Sequence, residues 1–233
     1  MDENTKVDQS AAEPAPKKSK KNRFVILGVV AVVVIALGAG FWKWHETAGF
    51  CAAICHTPMD EYYDTWANGT VDKSGNPVSN PAGMLAYAHA NYDRAGNQVE
   101  HGAGMQCMDC HIPTISEQVH EALSWVTGDY EYPLEKRTLD DLVAARGLEN
   151  SSEFCINDAC HADLQSKDAF VASTAGLSAA RNPHTMPHGK VDCGECHNAH
   201  TVSTNFCGSC HADSPVPEGW VSYKDFKAMS AKK

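Results

Sequence analysis

The chain has 233 residues, 19 Lys or Arg, 29 Asp or Glu, and a formal net charge of −10 at pH 7. That length holds one or two domains, and the acidic balance excludes a nucleic-acid partner, which needs clustered Lys and Arg to meet phosphates. Ten cysteines and twelve histidines are the unusual numbers; cysteine at this density points first to disulfides or zinc.

Residues 1–23 are polar and end in a basic cluster, Lys17, Lys18, Lys20, Lys21 and Arg23. Phe24 to Trp42 is an unbroken apolar run of 19 residues. At about 1.5 Å per residue it covers roughly 30 Å, the thickness of a bilayer's hydrocarbon. Phe41, Trp42 and Trp44 give its far end an interfacial aromatic belt. A cleaved signal peptide has a shorter core, about 7–15 residues. The chain is therefore predicted to have a basic cytoplasmic tail (1–23), a single membrane anchor (24–44) and an exported body (45–233). The positive-inside rule sets that orientation in the cytoplasmic membrane. The body carries 12 Lys or Arg against 25 Asp or Glu, an acidic surface that keeps a domain dispersed.

Residues 67–83, rich in Gly, Asn and Pro, read as a surface loop. Thr114-Ile-Ser-Glu117 is a capping box, with Ile115, Val119, Ala122, Leu123 and Val126 at helical spacing and Gly128 as the stop. Thr138 to Arg146 repeats the pattern, with Gly147 as terminator. Strand-like alternation is scarce. The predicted fold is mainly α-helical and irregular with little β structure, and its apolar core is thin enough to need another source of buried contacts.

The cysteines fall into five pairs, each followed directly by histidine: Cys51/Cys55-His56, Cys107/Cys110-His111, Cys155/Cys160-His161, Cys193/Cys196-His197 and Cys207/Cys210-His211. Three are C-x-x-C-H, the haem c attachment signature. Two thiols add to the haem vinyl groups, and the adjacent histidine ligates the iron from below. The first and third pairs have longer gaps, which still span the porphyrin edge. Zinc half-sites, dithiol redox sites and disulfides give no reason for histidine at the same place five times in five. Five haem c groups are expected, and they supply the missing core.

Seven histidines lie outside the motifs: His45, His89, His101, His120, His184, His188 and His200. Such a surplus fits bis-histidine, low-spin electron-transfer haems. His89, His184, His188 and His200 are the leading distal ligands. His45, His101 and His120 are weaker. Met59, in Cys55-His56-Thr-Pro-Met59, reaches the first iron or serves as packing.

At these residues the sequence resembles the NapC/NirT/NrfH family of membrane-anchored multihaem quinol dehydrogenases. The anchor, the first motif with Met59, and Asp109-Cys-His-Ile-Pro carry the resemblance, over roughly residues 20–130. The stretch from Asn182 to His200 looks like haem domains that feed flavin-dependent reductases. The resemblance implies menaquinol oxidation beside the first haem and transfer to a soluble terminal reductase, either a nitrite reductase or a flavin-dependent one. It implies Met59 as an axial ligand of the first iron, with the proximal histidine, here His56, absent from the ligand set in some members. Family members use a lysine and an aspartate after the second motif near the quinol. Asp129 can supply the aspartate, but no lysine lies between His111 and Asp129, so His120 or Glu121 stands in as the other proton acceptor. Five motifs, two of them expanded, depart from the usual tetrahaem members. Two rival functions remain: a passive relay between other redox proteins, and a terminal reductase with one open haem.

Overall fold

The computed structural model describes residues 20–100, 102–132 and 138–230. It has two compact units, Met1–Lys43 and Trp44–Lys233.

The first unit holds most of helix α1 (Lys20–His45). Its valine-rich run has modest intrinsic helix propensity. A helix nonetheless closes its backbone hydrogen bonds internally, as hydrocarbon demands. Asn22–His45 has a mean hydropathy of 2.9 and is long and apolar enough to cross a membrane.

The second unit begins with α2 (Ala48–Ile54), α3 (His56–Ala67), α4 (Leu85–Asn91) and α5 (Cys107–Cys110). It continues with α6 (Ile115–Thr127), α7 (Leu139–Ala145), α8 (Ser151–Cys155), α9 (Lys167–Ala172) and α10 (Tyr223–Ser230). Strand is confined, among the described residues, to a parallel pair, β1 (Thr204–Asn205) with β2 (Val221–Ser222), and a few isolated bridges. The mainly helical, irregular fold read from the sequence is the one found.

Capping fixes the helices. Thr114 and Glu117 bond reciprocally at the start of α6, and Gly128 closes it at φ 72°. Thr138 and Asp141 do the same for α7, and Gly147 follows at φ 67°. Of residues 67–83, Ala67 ends α3 and Pro81–Gly83 form a 3-10 turn; the stretch between them is a loop, but part of it is buried. Asp72 is 2 % and Asn76 6 % exposed, because Asp72 Oδ1 accepts from the Asn76 backbone N–H at 2.9 Å. The same turn recurs one helix later, where Asp93 Oδ1 accepts from the Asn97 N–H at 2.8 Å. Gly75 and Gly96 hold matching left-handed positions, φ 76° and 81°. The twin turns bracket α4, which carries His89.

The apolar core is small. Ala48, Trp66 and Ala90 form it, with Tyr63, Ala67, Ala86 and Cys107 packed around them. Trp66 Nε1 donates to the Met105 carbonyl at 2.9 Å. Gly104 lets the chain pass against the end of α4, because a Cβ there would strike the carbonyls of His89 and Ala90. With the Met105 N–H donating to the His89 carbonyl at 2.9 Å, these contacts tie the end of α4 to the segment that leads into the second cysteine pair.

Candidate haem-binding sites

The cysteine motifs share one local geometry. In the second, fourth and fifth, the histidine N–H donates to the first cysteine's carbonyl at 2.8 Å: His111 to Cys107, His197 to Cys193 and His211 to Cys207. The turn puts two thiols and an imidazole on one side of the backbone. In the expanded third motif His161 N–H still donates to Cys155 O, at 3.1 Å. The two extra residues are absorbed by Asn157, whose Oδ1 accepts from the N–H groups of Ala159 and Cys160 at 3.0 and 3.1 Å. In the first motif Cys55 N–H donates to Cys51 O at 3.0 Å, so its longer gap is one turn of α2. All ten cysteines are thiols, with no disulfide.

Cys210 differs from the other nine cysteines in its exposure. The other nine cysteines are partly buried, whereas Cys210 is exposed. The reason is its place in the chain. The fifth motif is the last, and the residues on either side of it, Ser209, Ala212 and Asp213, are themselves exposed. The Ser209 hydroxyl donates to Cys210 Sγ at 3.7 Å, a contact that is also exposed. The backbone turn of the motif is nonetheless intact, with Cys210 N–H donating to Cys207 O at 3.2 Å. Cys210 therefore keeps the position of an attachment thiol but makes no contribution to the protein's own core, and it marks the open edge of the haem domain.

The motifs are neighbours in chain order. The Cys51 thiol hydrogen-bonds to the Cys107 thiol, which raises the first and lowers the second. Cys155 and Cys193 are paired in the same way. Cys110 lies within electrostatic range of Cys160, and Cys196 within range of Cys207.

Four motif histidines face a histidine from elsewhere. Ring centroids are 6.2 Å apart for His111 and His200, 6.1 Å for His89 and His161, 6.4 Å for His184 and His197, and 5.9 Å for His188 and His211. A histidine nitrogen binds a first-row metal at about 2.0–2.1 Å, so two imidazoles trans across one ion have centroids about 6.3 Å apart. The four pairs fit that spacing. Among the described residues no group of three or more His, Cys, Asp or Glu is placed to hold a metal ion. Two axial ligands are what an iron needs when a porphyrin supplies the rest; a zinc site needs three or four from the protein.

Hydrogen bonds orient three of these partner rings. His89 Nδ1 is 2.8 Å from the Leu85 carbonyl, so Nδ1 carries the proton and Nε2 keeps its lone pair. His200 Nδ1 is 2.7 Å from Thr65 Oγ1. The Thr65 hydroxyl already donates to Tyr62 O at 2.7 Å, so it must accept from His200. His184 Nδ1 lies 2.9 Å from Ser173 Oγ, and that hydroxyl donates to Phe170 O at 2.7 Å. All three rings are thus set to offer Nε2, as metal-ligating histidines are by their outer partners. Met186, at φ 50°, takes the left-handed region between His184 and His188. That reversal lets two histidines four residues apart serve different motifs.

Burial pushes His197 down to about 4, helped by His184, and His200 down to about 3, helped by His111. Neutral imidazole is the ligating form. Both rings are neutral in the fold, whereas an unfolded chain protonates them below about pH 6.5. Stability from this source is full above about pH 6.5 and declines as pH falls from there toward about 4 for His197 and about 3 for His200. The thermal midpoint of the haem-loaded protein is expected to be flat above about pH 6.5 and to fall below it; a midpoint that rises on acidification would contradict this.

A cytochrome c3 family model matches residues 138–212, which contain the last three motifs. Cytochrome c-type protein Cgr1 of Eggerthella lenta is 45% identical over 222 residues, 94% of each chain. The chain belongs to the multihaem c-type cytochromes. No solved structure matches it. Membership brings covalently bound haem c, and the fourfold pairing of histidines fits that group.

Other predicted residues of the cytochrome are placed as follows. His56 opens α3, but its side chain lies outside the described residues, as does His101. Met59 follows Cys55 by one turn, its N–H donating to Cys55 O at 3.1 Å. His45 packs edge-on against Phe50, 4.8 Å between centroids. Of the three expected proton acceptors, Glu121 acts on both thiols of the first motif, raising Cys51 and Cys55. His120 is exposed on the adjoining face of α6, and Asp129 follows the helix end. Sequence reasoning missed Thr65, which is buried, and Ser173, which is exposed; a hydroxyl that orients a histidine ring from a distant segment has no signature in spacing.

Proposed function

We propose that this cytochrome carries five haems, oxidises membrane menaquinol beside the first, and relays the electrons in chain order to a soluble terminal reductase. The observation that carries the relay is the succession of cysteine neighbours, Cys51 with Cys107, Cys110 with Cys160, Cys155 with Cys193 and Cys196 with Cys207. Spatial order follows sequence order, as in a wire. The exposed thiol of Cys210 puts the fifth motif at the surface, where the last carrier of such a wire meets its acceptor. Ten thiols and five following histidines match five haems without remainder.

His111 with His200, His161 with His89, His197 with His184 and His211 with His188 would hold the irons of the second to fifth haems. Such ligation gives low-spin iron suited to electron transfer. Met59 or His56 serves the first. Quinol oxidation releases two electrons and two protons, and one-electron carriers in succession separate the pair. Glu121, beside the first motif, is the first proton acceptor, with His120 and Asp129 on the same segment. Helix α1 anchors the protein in the cytoplasmic membrane, basic tail inside and haem domain outside. The terminal partner is a nitrite reductase or a flavin-dependent reductase.

The test is reduction of the purified, detergent-solubilised full-length protein by a menaquinol analogue, followed by visible absorbance. Rapid reduction of all haems is expected. Reduction by dithionite but not by quinol would overturn quinol oxidation and make the protein a relay supplied by another donor.

A further inference from the structure

Helix α6 is amphipathic in the reverse sense of an ordinary surface helix. At about 100° per residue, Ile115, Val119, Leu123 and Val126 form one stripe, and Ile112 just before the helix continues it. These residues are 63 % (Ile112), 77 % (Ile115), 54 % (Val119), 59 % (Leu123) and 72 % (Val126) exposed. The least exposed positions of the helix are polar: Glu117, Gln118 and Ser124. They share a face with Glu121, whose carboxylate acts on Cys51 and Cys55. The polar side is turned toward the body and the first motif, and the apolar stripe is turned away from both. A haem on that motif cannot cover the stripe, which lies across the helix from it.

An apolar surface of this kind marks an interaction site. Two observations identify its occupant. Ala48, which opens the haem domain directly after the apolar span, is fully buried. Its N–H donates to Gln106 Oε1 at 3.1 Å. Gln106 starts the segment that runs through the second motif into α6, so the stripe belongs to the end of the domain where the chain enters. Tyr130 and Tyr132, just past the helix end, are also exposed, at 38 % and 55 %, and tyrosine settles at the level of lipid headgroups. Among the described residues 112–132 the Asp, Glu, Lys and Arg side chains are all acidic (Glu117, Glu121, Asp129 and Glu131), which disfavours an anionic surface.

We infer that α6 lies in the bilayer interface, with Ile115, Val119, Leu123 and Val126 in the acyl region of zwitterionic lipid. The inference rests on the reading of α1 as a membrane anchor. It gives the domain a second membrane contact and holds the Glu121 side at the depth where a lipid-soluble reductant would arrive.

The test uses the full-length, haem-loaded protein in phosphatidylcholine liposomes doped with a phospholipid bearing a photoactivatable diazirine on its acyl chain. After irradiation, adducts are mapped by peptide mass spectrometry. Adducts are expected in α1 and on the α6 stripe, and a Val119→Glu, Val126→Glu variant is expected to lose the α6 adducts and keep those of α1. Both substituted side chains are exposed, so the fold tolerates the change. Adducts in α1 alone, or α6 cross-linked to a second copy of the chain, would overturn the inference. Absence of adducts from α1 would overturn the anchor itself.

Discussion

Replacing His200 by alanine is expected to open the sixth position of one haem and to loosen the domain as well. The dithionite-reduced variant should bind carbon monoxide at a single haem, while the parent protein binds none at its histidine-paired irons. The effect is large because His200 joins distant parts of the chain. It follows the fourth motif, faces His111 of the second at 6.2 Å, and is held by Thr65 of α3 at 2.7 Å. Tyr62 packs edge-on against the same ring at 5.1 Å. Deleting the imidazole empties this site and leaves the buried Thr65 without its donor, a cost of about 1–3 kcal/mol read from denaturant unfolding. Thr65→Val keeps the ring but removes the acceptor for its Nδ1–H. It is expected to make the same iron about 10–100-fold easier to open to carbon monoxide, and Thr65→Ser is expected to restore the parent behaviour. A His200→Ala protein that binds no carbon monoxide would refute the pairing with His111.

Glu121→Gln is expected to slow quinol-driven reduction by about 100-fold, the lower range for removing a positioned proton acceptor, and to leave dithionite reduction unchanged. The isosteric amide keeps the shape of the helix face and removes the charge that acts on Cys51 and Cys55. Dithionite delivers electrons without a bound proton donor, so the ratio of the two rates isolates the proton step. His120→Ala and Asp129→Asn are expected to have smaller effects. If all three variants oxidise quinol at the parent rate, the proton acceptor lies elsewhere.

Attachment chemistry was the most legible part of this sequence. Two thiols and a histidine must be local to serve one haem, so the signature sits within a few residues even where the third motif is stretched. Helix α6 was legible too, because Thr114, Glu117 and Gly128 write its ends into the chain. The pairing of ligands was not. His200 stands three residues from His197 yet faces His111, and His89 precedes the second motif yet faces His161 of the third. An iron joins residues without regard to their separation, so no spacing rule assigns them. Burial was equally hidden: the fifth motif has the same spacing as the second and fourth, yet Cys210 alone among the cysteines is exposed, because exposure depends on which segments fold over a motif. Periodicity gave the apolar stripe of α6 but not its direction, since direction depends on what the opposite face meets. The twin Asp72–Asn76 and Asp93–Asn97 turns were available as a repeated Asp-x-x-Gly-Asn and went unread, because each looks like ordinary loop composition by itself.

Every cysteine pair, including the two expanded ones, is expected to carry a haem in a single wire. Intact mass spectrometry of the purified full-length protein, combined with haem counting by pyridine haemochrome, tests it directly. The expected result is the chain mass plus five haems, with all ten cysteines consumed and no thiol left to react with a maleimide, the exposed Cys210 included. Three haems and four reactive thiols would contradict it, leaving Cys51, Cys55, Cys155 and Cys160 without the role assigned to them.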